Sequence, residues 1–316
     1  MKRALLALEI GGTKLQLCVG DERANIFQRW RYDIDAARGG AGIRAQIEAV
    51  LPEIQQAYDV AAVGVGFGGP VDGRTGQICC SHQIEGWSEF PLGEWLRERT
   101  GRPVIIDNDA NVAALGEARW GAGQGSNPVF YVTLGSGVGG GLVVDGKIFH
   151  GAKPGESEIG HVRLDRAGMI VEERCSGWAV DARIRAAALQ HPSSSLARHA
   201  AGLPRGEARA LAPALLEACP VADGLLEEVA GDLAFGLSHV THLIHPEVIV
   251  LGGGLSLVGE VWRAAVASAL SQFVMEAFAP GPRLVLAALR EDAVPVGALL
   301  LAASGSAVVT EQIISC

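Results

Sequence analysis

The sequence predicts an α/β protein with mixed sheets, built from two duplicated lobes around a central cleft. Short β-rich runs alternate with helical patterns along most of the 316 residues, as α/β architecture requires. A second observation is an internal repeat, because the same plan of strand, glycine turn and strand opens each half of the chain. The third is a connector rich in Gly, Ser, Asn and Pro at residues 121–128, which indicates a boundary between the halves.

Each predicted element follows from its local residue pattern. Strands are predicted where apolar and β-branched residues run together between glycines, and helices where apolar residues recur every three or four positions. In chain order the predicted strands are Ala4–Leu8, Leu15–Val19, Val60–Val65, Val104–Ile106, Val129–Leu134, Gly141–Val144 and Val248–Leu251. The predicted helices are Gly42–Tyr58, Ala110–Trp120, Val180–Leu189 and Val221–His245. Residues 191–220, rich in Ala, Pro and Arg, are interpreted as a variable helical excursion.

The internal repeat sets the predicted domains. Residues 6–21, LALEIGGTKLQLCVGD, and residues 131–146, YVTLGSGVGGGLVVDG, both consist of a strand, a glycine turn and a strand. We therefore predict an N-terminal lobe over residues 1–120 and a larger C-terminal lobe over residues 121–295. A C-terminal helix at about 296–316 is expected to pack back on the first lobe. Two related lobes facing a cleft would enclose a nucleotide and a second substrate.

Composition and charge disfavour several classes of protein. With 49% hydrophobic residues the chain can bury a large core, while a net charge of −9 repels nucleic acid phosphates and anionic membranes. No apolar stretch reaches the ~20 residues that span a bilayer, and Glu9 ends the first apolar run too early for a signal peptide. Six scattered cysteines without a CxxC pair favour a reducing compartment. We predict a cytoplasmic enzyme with no nucleic acid or membrane partner.

The glycine turns of the two hairpins are candidate phosphate-binding elements. In Gly11-Gly12-Thr13-Lys14 the missing Cβ atoms let backbone N–H groups approach an anion, and the Thr hydroxyl and Lys ammonium add donors. The second turn, Gly135-Ser136-Gly137, begins a GxGxGGG string that leads into a strand and not a helix, which fails the dinucleotide-binding pattern. A plain hairpin turn explains either string alone, but two such turns at duplicated positions favour a function.

Polar residues after the strand Val104–Ile106 form the candidate catalytic group. The string Asp107-Asn108-Asp109-Ala110-Asn111 ends a strand and opens a helix. Asp109 is therefore either the N-cap of that helix or a carboxylate that accepts a hydroxyl proton during phosphoryl transfer. One cap needs one residue, so four polar side chains in five positions favour a substrate site.

Two further segments carry candidate binding residues. Glu158 and His161 are three residues apart and can bind vicinal hydroxyls, although a structural histidine and a solvated glutamate are the plainer interpretations. Zinc binding by His161 lacks partners, because the nearest cysteine downstream, Cys175, stands alone. The glycines at 252–254 follow a buried strand and precede a helical pattern, where they either seat part of a nucleotide or permit close packing of helix on sheet.

Together these segments resemble the ROK family, named for repressors, open reading frames and kinases. Its enzymes include glucokinases and N-acetylhexosamine kinases of the two-lobed actin-like ATPase (ribonuclease H-like) fold. The resemblance spans nearly the whole chain, and ordered motifs of this length are specific. The motifs are EIGGTK at 9–14, GFGGPVDGRTG at 66–76, DNDANVAALGEARWG at 107–121, TLGSGVGGGLVVDGKIFHGA at 133–152, ESEIGH at 156–161, CSGW at 175–178 and VIVLGGGLS at 248–256.

The resemblance implies a kinase that uses ATP and Mg²⁺ to phosphorylate a hexose, with Asp109 taking the proton from the attacking hydroxyl. Glucose is the leading substrate, with N-acetylhexosamines, mannose and fructose compatible, and a homodimer is compatible with the family. The implied sugar-binding residues are Gly69, Pro70, Asn108, Glu158, His161 and Glu172. The implied ATP-binding residues are Gly11, Gly12, Thr13, Lys14, Gly135, Ser136, Gly137, Gly252, Gly253 and Gly254.

Three departures from the family pattern stand out. Glu9 occupies the place of an Asp that helps to hold the hydration shell of Mg²⁺, so we expect Glu9 to meet the ion through water. Ser136 replaces the more common Thr and keeps its hydroxyl. The CxCGxxGC zinc loop of many members is missing, because residues 163–174 contain no cysteine, and no structural zinc is expected.

Two other functions stay open at this point. Many relatives are repressors with a DNA-binding helix-turn-helix domain, but here the first hairpin begins by residue 4 and the charge is acidic, so we expect no such domain. The other is a catalytically weak sugar-binding or regulatory protein. Glu9 and the missing zinc loop favour it, whereas Asp109 and the complete glycine strings disfavour it.

Overall fold

The computed structural model describes residues 1–79, 81, 84–152, 157–203 and 205–314, with side chains to residue 305. Its strands are β1 Lys2–Ile10, β2 Lys14–Gly20, β3 Ile26–Asp33, β4 Tyr58–Phe67, β5 Val71–Asp72, β6 Gln77–Ile78, β7 Val104–Asn108, β8 Val129–Leu134, β9 Val138–Val144, β10 Lys147–Ile148, β11 Val248–Gly252 and β12 Arg283–Leu286. Its α-helices are α1 Gly39–Ala57, α2 Leu92–Thr100, α3 Asp109–Trp120, α4 Val171–Cys175, α5 Gly177–Gln190, α6 Ser195–Ala200, α7 Leu211–Leu216, α8 Pro220–Ile244, α9 Glu260–Ser271 and α10 Ala293–Ile314. Within these described ranges, no helix is both long and apolar enough to cross a membrane.

Two compact units make up the chain. Unit 1 comprises Met1–Gln124, Gly141–Ser157 and Glu291–Cys316, and unit 2 comprises Gly125–Gly140 and Glu158–Arg290. Residues 141–157, which follow the second glycine turn, thus group with unit 1. The lobes expected over 1–120 and 121–295 stay a prediction.

One strand plan occurs twice. The first sheet has the order β3-β2-β1-β4-β7, and the second has the order β10-β9-β8-β11-β12. In the first, β1 is antiparallel to β2 and parallel to β4, which is parallel to β7. In the second, β11 lies parallel between β8 and β12, and β10 is antiparallel to β9. Leaving aside the small β5-β6 sheet, both sheets order their strands as third, second, first, fourth and fifth. The predicted α/β class with duplicated mixed sheets is confirmed.

Alternation along β1 divides the core of unit 1 into two layers. Successive side chains of a strand point to opposite faces of the sheet. Leu6 and Leu8 belong to a buried cluster with residues of α1 and α2. Leu5 and Ala7 belong to a second cluster with residues of α3 and α10. Because helices cover both faces, β1 is apolar along nearly its whole length and shows no polar alternation.

Glycines allow α10 to lie close to the sheet and to α3. α10 packs against β1, β4, β7 and α3. Residues 315–316, the end of its expected span of about 296–316, lie outside the described part. A Cβ at Gly64 would lie 1.9 Å from the carbonyl oxygen of Ala298, and a Cβ at Gly297 would lie 1.8 Å from that of Val112. Only glycine permits such an approach of two backbones. This packing fixes α3, the helix that begins at Asp109.

β11 forms the centre of the core in unit 2. All four residues from Val248 to Leu251 are fully buried, between the parallel neighbours β8 and β12. The helices α8 and α9 pack together, and Trp262 of α9 is also fully buried. The run of apolar residues in β11 is therefore that of a central strand covered on both faces.

Candidate active site

The carboxyl ends of three parallel strands meet at one edge of the first sheet. The register pairs Glu9 with Gly66 and Gly66 with Asp107, so β1, β4 and β7 end side by side. Ligands of open α/β sheets bind beyond the carboxyl ends of strands. In unit 1 this edge, and the segments that follow it, carry the predicted residues Glu9, Gly11, Gly12, Thr13, Lys14, Gly69, Pro70, Asn108 and Asp109.

Asn108, and not Asp109, is the N-cap of α3. The Oδ1 atom of Asn108 accepts hydrogen bonds from the backbone N–H groups of Ala110 at 2.8 Å and Asn111 at 3.3 Å. Its Nδ2 atom donates to the carbonyl oxygen of Gly69 at 3.2 Å, which ties the helix start to the segment after β4. The interpretation of Asp109 as the cap is therefore wrong, and its carboxylate is left for another role.

The environment of Asp109 favours a carboxyl group that titrates near neutral pH. Burial raises the pKa of Asp109 from 3.8 to about 7; the nearby Glu9 carboxylate adds to the rise, while backbone N–H groups and Lys14 oppose it. Gly68 keeps the adjacent space open, because a Cβ there would lie 3.3 Å from Asp109 Oδ2. A general base works best when its pKa is close to the working pH.

Asp107 holds the junction between β7 and α3 in place. Its Oδ1 atom accepts from the backbone N–H of Asn108 at 2.8 Å and from Nδ2 of the fully buried Asn111 at 3.0 Å. Its Oδ2 atom lies 2.7 Å from Nε2 of His150. No role was predicted for Asp107, Asn111 or His150. The polar string at 107–111 signalled the first two, but the pairing with His150 depends on the tertiary fold.

The first glycine turn leaves part of its backbone available. The N–H of Gly11 donates to the carbonyl oxygen of Lys14 at 3.0 Å, which closes the β1–β2 hairpin, and the carbonyl of Thr13 accepts from Ile34 at 3.0 Å. Within the described part of the chain, the N–H groups of Gly12 and Thr13 have no acceptor. Free N–H groups at a glycine turn are the donors that a phosphate requires.

Glu9 is held by two donors. Its Oε1 atom lies 3.0 Å from Nζ of Lys14, and its Oε2 atom accepts from Nε2 of the fully buried Gln16 at 2.7 Å. Gln16, for which no role was predicted, lies directly opposite Glu9 in the hairpin.

This arrangement fits Mg²⁺ only in part. Mg²⁺ is usually held by one or two carboxylates together with substrate phosphates and water. In the described ranges, no group of three or more His, Cys, Asp or Glu residues could hold a metal ion. Glu9 thus fits as a single carboxylate contact, in competition with Lys14 and Gln16.

In unit 2, Glu172 braces the second glycine turn. Its Oε2 atom accepts from the backbone N–H of Val138 at 2.8 Å, and a Cβ at Gly137 would lie 2.5 Å from the same oxygen. The turn is closed by the N–H of Gly135, which donates to the carbonyl of Gly137 at 3.0 Å, and the N–H of Gly177 donates to Gly135 at 2.7 Å. The structure thus brings Glu172 together with the predicted ATP-binding residues Gly135, Ser136 and Gly137.

Glu158 precedes and His161 ends a single turn of 3₁₀ helix, Ile159–His161. Both side chains are exposed, and the backbone N–H of His161 donates to the carbonyl of Glu158 at 3.1 Å. Gly160 lies against β9, since a Cβ there would lie 2.3 Å from the carbonyl oxygen of Val138. The two side chains are therefore presented at the surface of unit 2 from a turn that packs closely on β9.

The three glycines after β11 pack against β8. A Cβ at Gly252 would lie 2.2 Å from the hydroxyl of Tyr131, and one at Gly253, which has a φ of 78°, would lie 2.5 Å from the backbone of Leu134. A 3₁₀ turn, Gly254–Val258, comes first, and α9 begins only at Glu260. Close packing therefore accounts for Gly252 and Gly253, while a Cβ at Gly254 would make only an ordinary contact, 4.0 Å from the carbonyl oxygen of Leu134.

Comparison with known proteins gives a consistent result. The sequence profile of the ROK family matches residues 5–304. A glucokinase from Thermotoga maritima is 28% identical over 305 residues, which cover 94% of this chain and 96% of that protein. A glucokinase from Streptomyces coelicolor is 31% identical over 270 residues, which cover 81% and 83% of the two chains.

Solved structures agree with these relatives. A ROK family glucokinase from Streptomyces griseus, in complex with glucose and AMPPNP, has a TM-score of 0.83 and 30% identity, covering 95% of this chain and 99% of that chain. A ROK family transcriptional regulator, a homologue of the E. coli MLC protein, has a TM-score of 0.87 at 19% identity and covers 100% of this chain and 82% of that chain. At that identity the second likeness concerns the fold alone.

Proposed function

Because the chain belongs to the ROK family over residues 5–304, we propose that it transfers the γ-phosphoryl group of ATP to a hydroxyl of a hexose. Asp109 is the general base in this proposal. The single observation that carries it is the carboxylate of Asp109 in the first turn of α3, with a pKa of about 7. The oxygen that caps the helix is that of Asn108, so the Asp109 carboxylate is not needed as the cap.

The proton transfer follows from this geometry. Asp109 accepts the proton of the sugar hydroxyl, the hydroxyl oxygen forms a bond to the γ-phosphorus, and the bond between that phosphorus and the β,γ-bridging oxygen breaks, releasing ADP. At pH 7 and above a substantial fraction of Asp109 is ionised, since its pKa is about 7. Phosphoryl transfer depends mostly on positioning and on charge stabilisation. Asp107 and Asn108 supply the positioning by fixing the start of α3.

Phosphate binding is assigned to the two glycine turns. The N–H groups of Gly12 and Thr13 and the ammonium of Lys14 supply donors in unit 1. In unit 2, Glu172 orders the turn at Gly135–Gly137 by accepting from Val138. The AMPPNP bound to the Streptomyces griseus glucokinase supports ATP as the phosphoryl donor. Gly252–Gly254 retain their proposed role near the nucleotide.

Sugar binding is assigned to side chains that can bond vicinal hydroxyls. These are Glu158 and His161 in unit 2, exposed at their turn of 3₁₀ helix, with Glu172 as the further acceptor. In unit 1, Asn108 and the Gly69-Pro70 segment are already tied together by a hydrogen bond. Glucose is the preferred candidate because two relatives are glucokinases and the Streptomyces griseus enzyme has glucose bound.

Mg²⁺ would supply neutralisation of phosphate charge, and Glu9 is the residue that would hold it, through water. In this proposal the ion competes with Lys14 for the Glu9 carboxylate, whose two oxygens already have donors. No structural zinc is part of the proposal, since Cys175 is buried and its Sγ donates to the carbonyl of Val229 at 3.7 Å. A cytoplasmic location and a homodimer stay predictions.

An ADP-release screen tests the proposal. Purified protein is supplied with ATP and Mg²⁺ and with glucose, mannose, fructose, N-acetylglucosamine or N-acetylmannosamine, and ADP is measured by a coupled assay. We expect sugar-dependent ADP release with at least one of these hexoses and, in parallel, one hexose phosphate per ADP. No release with any sugar would contradict the proposal and favour a sugar-binding regulatory protein, for which the engaged carboxylate of Glu9 is the motivating observation.

A further inference from the structure

A large cavity lies in unit 1 beside β7. Its volume is about 1010 Å³, and its walls come from β7, α3, β10 and α10. β7 is the outermost strand of its sheet. The residues assigned to sugar and base in unit 1, Gly69, Pro70, Asn108 and Asp109, are not among those that line it. Ligand-binding pockets commonly have volumes of about 300–1,000 Å³, so the cavity is large enough for a small molecule.

The inner wall of the cavity is apolar. Ile106, Leu115 and Leu301 line it, and each is at least nine-tenths buried in the protein. Ile105 and Ile148 line it as partly buried side chains. Protein interiors are packed at the density of organic crystals. An apolar cavity of this size therefore favours a ligand with an apolar body.

Three cationic side chains line the cavity. The side chains of Arg74, Arg119 and Lys147 line it and are exposed. Arg119 donates to the carbonyl oxygen of Gly146 at 3.4 Å, and over the described ranges none of the three forms an ion pair. An anionic group on the ligand would thus meet cations that form no ion pair with any described residue of unit 1.

Three carboxylates line the same cavity, so the formal charges of its lining balance. Asp107 already accepts three hydrogen bonds. Asp72 accepts from the backbone N–H of Arg74 at 3.0 Å. Glu22 lines the cavity as an exposed carboxylate. Asp107 and Asp72 are thus engaged by donors within the protein, whereas most N–H donors of the three cations remain available. An acceptor group with negative charge on the ligand, a carboxylate or a phosphate, would engage those donors.

The cavity is also lined by two residues that help to position the candidate active site. Asp107 and His150 are lining residues, and they lie 2.7 Å apart, Oδ2 to Nε2. The other oxygen of Asp107 holds the N–H of Asn108 and the amide of Asn111 at the start of α3. A ligand that contacts Asp107 or His150 would therefore act on the turn that carries Asp109.

We propose that this cavity binds a small amphipathic anion, with its apolar body on Ile106, Leu115 and Leu301 and its carboxylate or phosphate among Arg74, Arg119 and Lys147. Occupancy changes the kinetics of phosphoryl transfer through Asp107. The binding statement stands by itself, whereas the kinetic statement rests on the proposed kinase function.

Binding is tested with 8-anilinonaphthalene-1-sulfonate, an amphipathic anion whose fluorescence rises in apolar surroundings. Ala303 lines the cavity from α10, so Ala303→Trp fills it, and Ala264→Trp, at an exposed position of α9, controls for the added indole. We expect the dissociation constant to rise more than tenfold in A303W and to stay within twofold in A264W. Equal titrations of wild type and a folded A303W would overturn the proposal.

The charge of the ligand is tested by displacing the dye with octanoate, octyl phosphate, octanol and octylammonium. The two anions should displace it at concentrations about fivefold or more below those of octanol and octylammonium, and this advantage should disappear in the double variant Arg119→Ala/Lys147→Ala. Octanoate stronger than octyl phosphate identifies a carboxylate ligand, and the reverse order identifies a phosphate. Octanol as strong as both anions would overturn the anionic assignment, and this test does not require A303W to fold.

The kinetic statement is tested on the whole protein. Saturating octanoate should change kcat or KM at least twofold in wild type and leave A303W unchanged. Dye binding at the cavity without any kinetic change would overturn the coupling through Asp107. Dye binding together with no phosphorylation of any sugar would instead contradict the proposed kinase, because the fluorescence measurement needs no turnover.

Discussion

Replacing Asp109 by Asn should make the folded protein more stable at alkaline pH, because the wild-type side chain is an acid held in an environment that disfavours its charge. Burial and the Glu9 carboxylate raise the pKa of Asp109 from 3.8 to about 7. Between these two values the folded protein keeps a proton at Asp109 that the unfolded chain has released. The free energy of unfolding therefore falls as the pH rises through this range, and the whole contribution of Asp109 to this fall is reached above pH 7.

The magnitude follows from the two pKa values. Each unit of pKa difference is worth about 1.4 kcal/mol, so the full effect has an upper limit of about 4 kcal/mol. Between pH 5 and pH 8 the free energy of unfolding of D109N, relative to that of wild type, should rise by about 2 kcal/mol. This is less than the upper limit because the Asp109 side chain is partly exposed. Asparagine keeps the size of the side chain and removes its titration.

Urea denaturation of wild type and D109N at pH 5, 6, 7 and 8 measures this difference directly. The variant Asp223→Asn, an exposed aspartate in the first turn of α8, controls for the loss of a first-turn charge. Free energies of unfolding for wild type and D109N that run parallel from pH 5 to pH 8 would refute the account of the Asp109 environment.

Three further predictions concern activity and packing. The value of kcat/KM for the preferred sugar should fall about tenfold per pH unit below pH 7, as the base becomes protonated; a flat profile from pH 5.5 to 8 would exclude Asp109 as the base. Gly297→Ala should lower the free energy of unfolding by about 3 kcal/mol, because its Cβ would meet the Val112 carbonyl, whereas Gly224→Ala, in open space on α8, should change it by less than about 1 kcal/mol; equal thermal shifts in the two variants would contradict this packing. Glu172→Ala should raise KM for ATP at least tenfold, since the Val138 amide loses its acceptor, and Glu172→Gln should restore part of that loss; an unchanged KM in steady-state kinetics would remove Glu172 from the nucleotide turn.

Local patterns predicted the glycine hairpins well. The apolar runs on either side of Gly11–Lys14 and Gly135–Gly137 indicated strands, and β1, β2, β8 and β9 lie there. Duplication of the turn in the sequence corresponds to the duplicated strand order of the two sheets. Such features depend on neighbouring residues only, which is why a sequence pattern is sufficient to find them.

Elements at the edges of the sheets were missed. β3, Ile26–Asp33, carries arginines at 29 and 31 and is at most partly buried along its length, so it lacks the apolar run of a central strand. Its pairing with β2 supplies the backbone hydrogen bonds that make it a strand. A polar edge strand is specified by its neighbour as much as by its own residues.

Support of the candidate site depends on contacts between distant residues. The pair Asp107 and His150 is 43 residues apart in the chain, and no local pattern indicates it. Gln16 could have been found, because it lies opposite Glu9 in the predicted hairpin and cross-strand neighbours interact. The choice between Asp109 as cap and as base needed the hydrogen bonds of Asn108, which the structure supplies.

The central claim, that Asp109 is the base of a hexose kinase, is tested most directly by comparing turnover and binding in wild type and D109N. Turnover is measured as hexose phosphate formed at saturating sugar and Mg²⁺-ATP, and binding of glucose and of AMPPNP is measured by calorimetry. We expect kcat to fall at least a hundredfold in D109N, in line with the ~10²–10⁴-fold contribution of general bases, while both dissociation constants stay within about threefold. Near-normal turnover in D109N would contradict the claim.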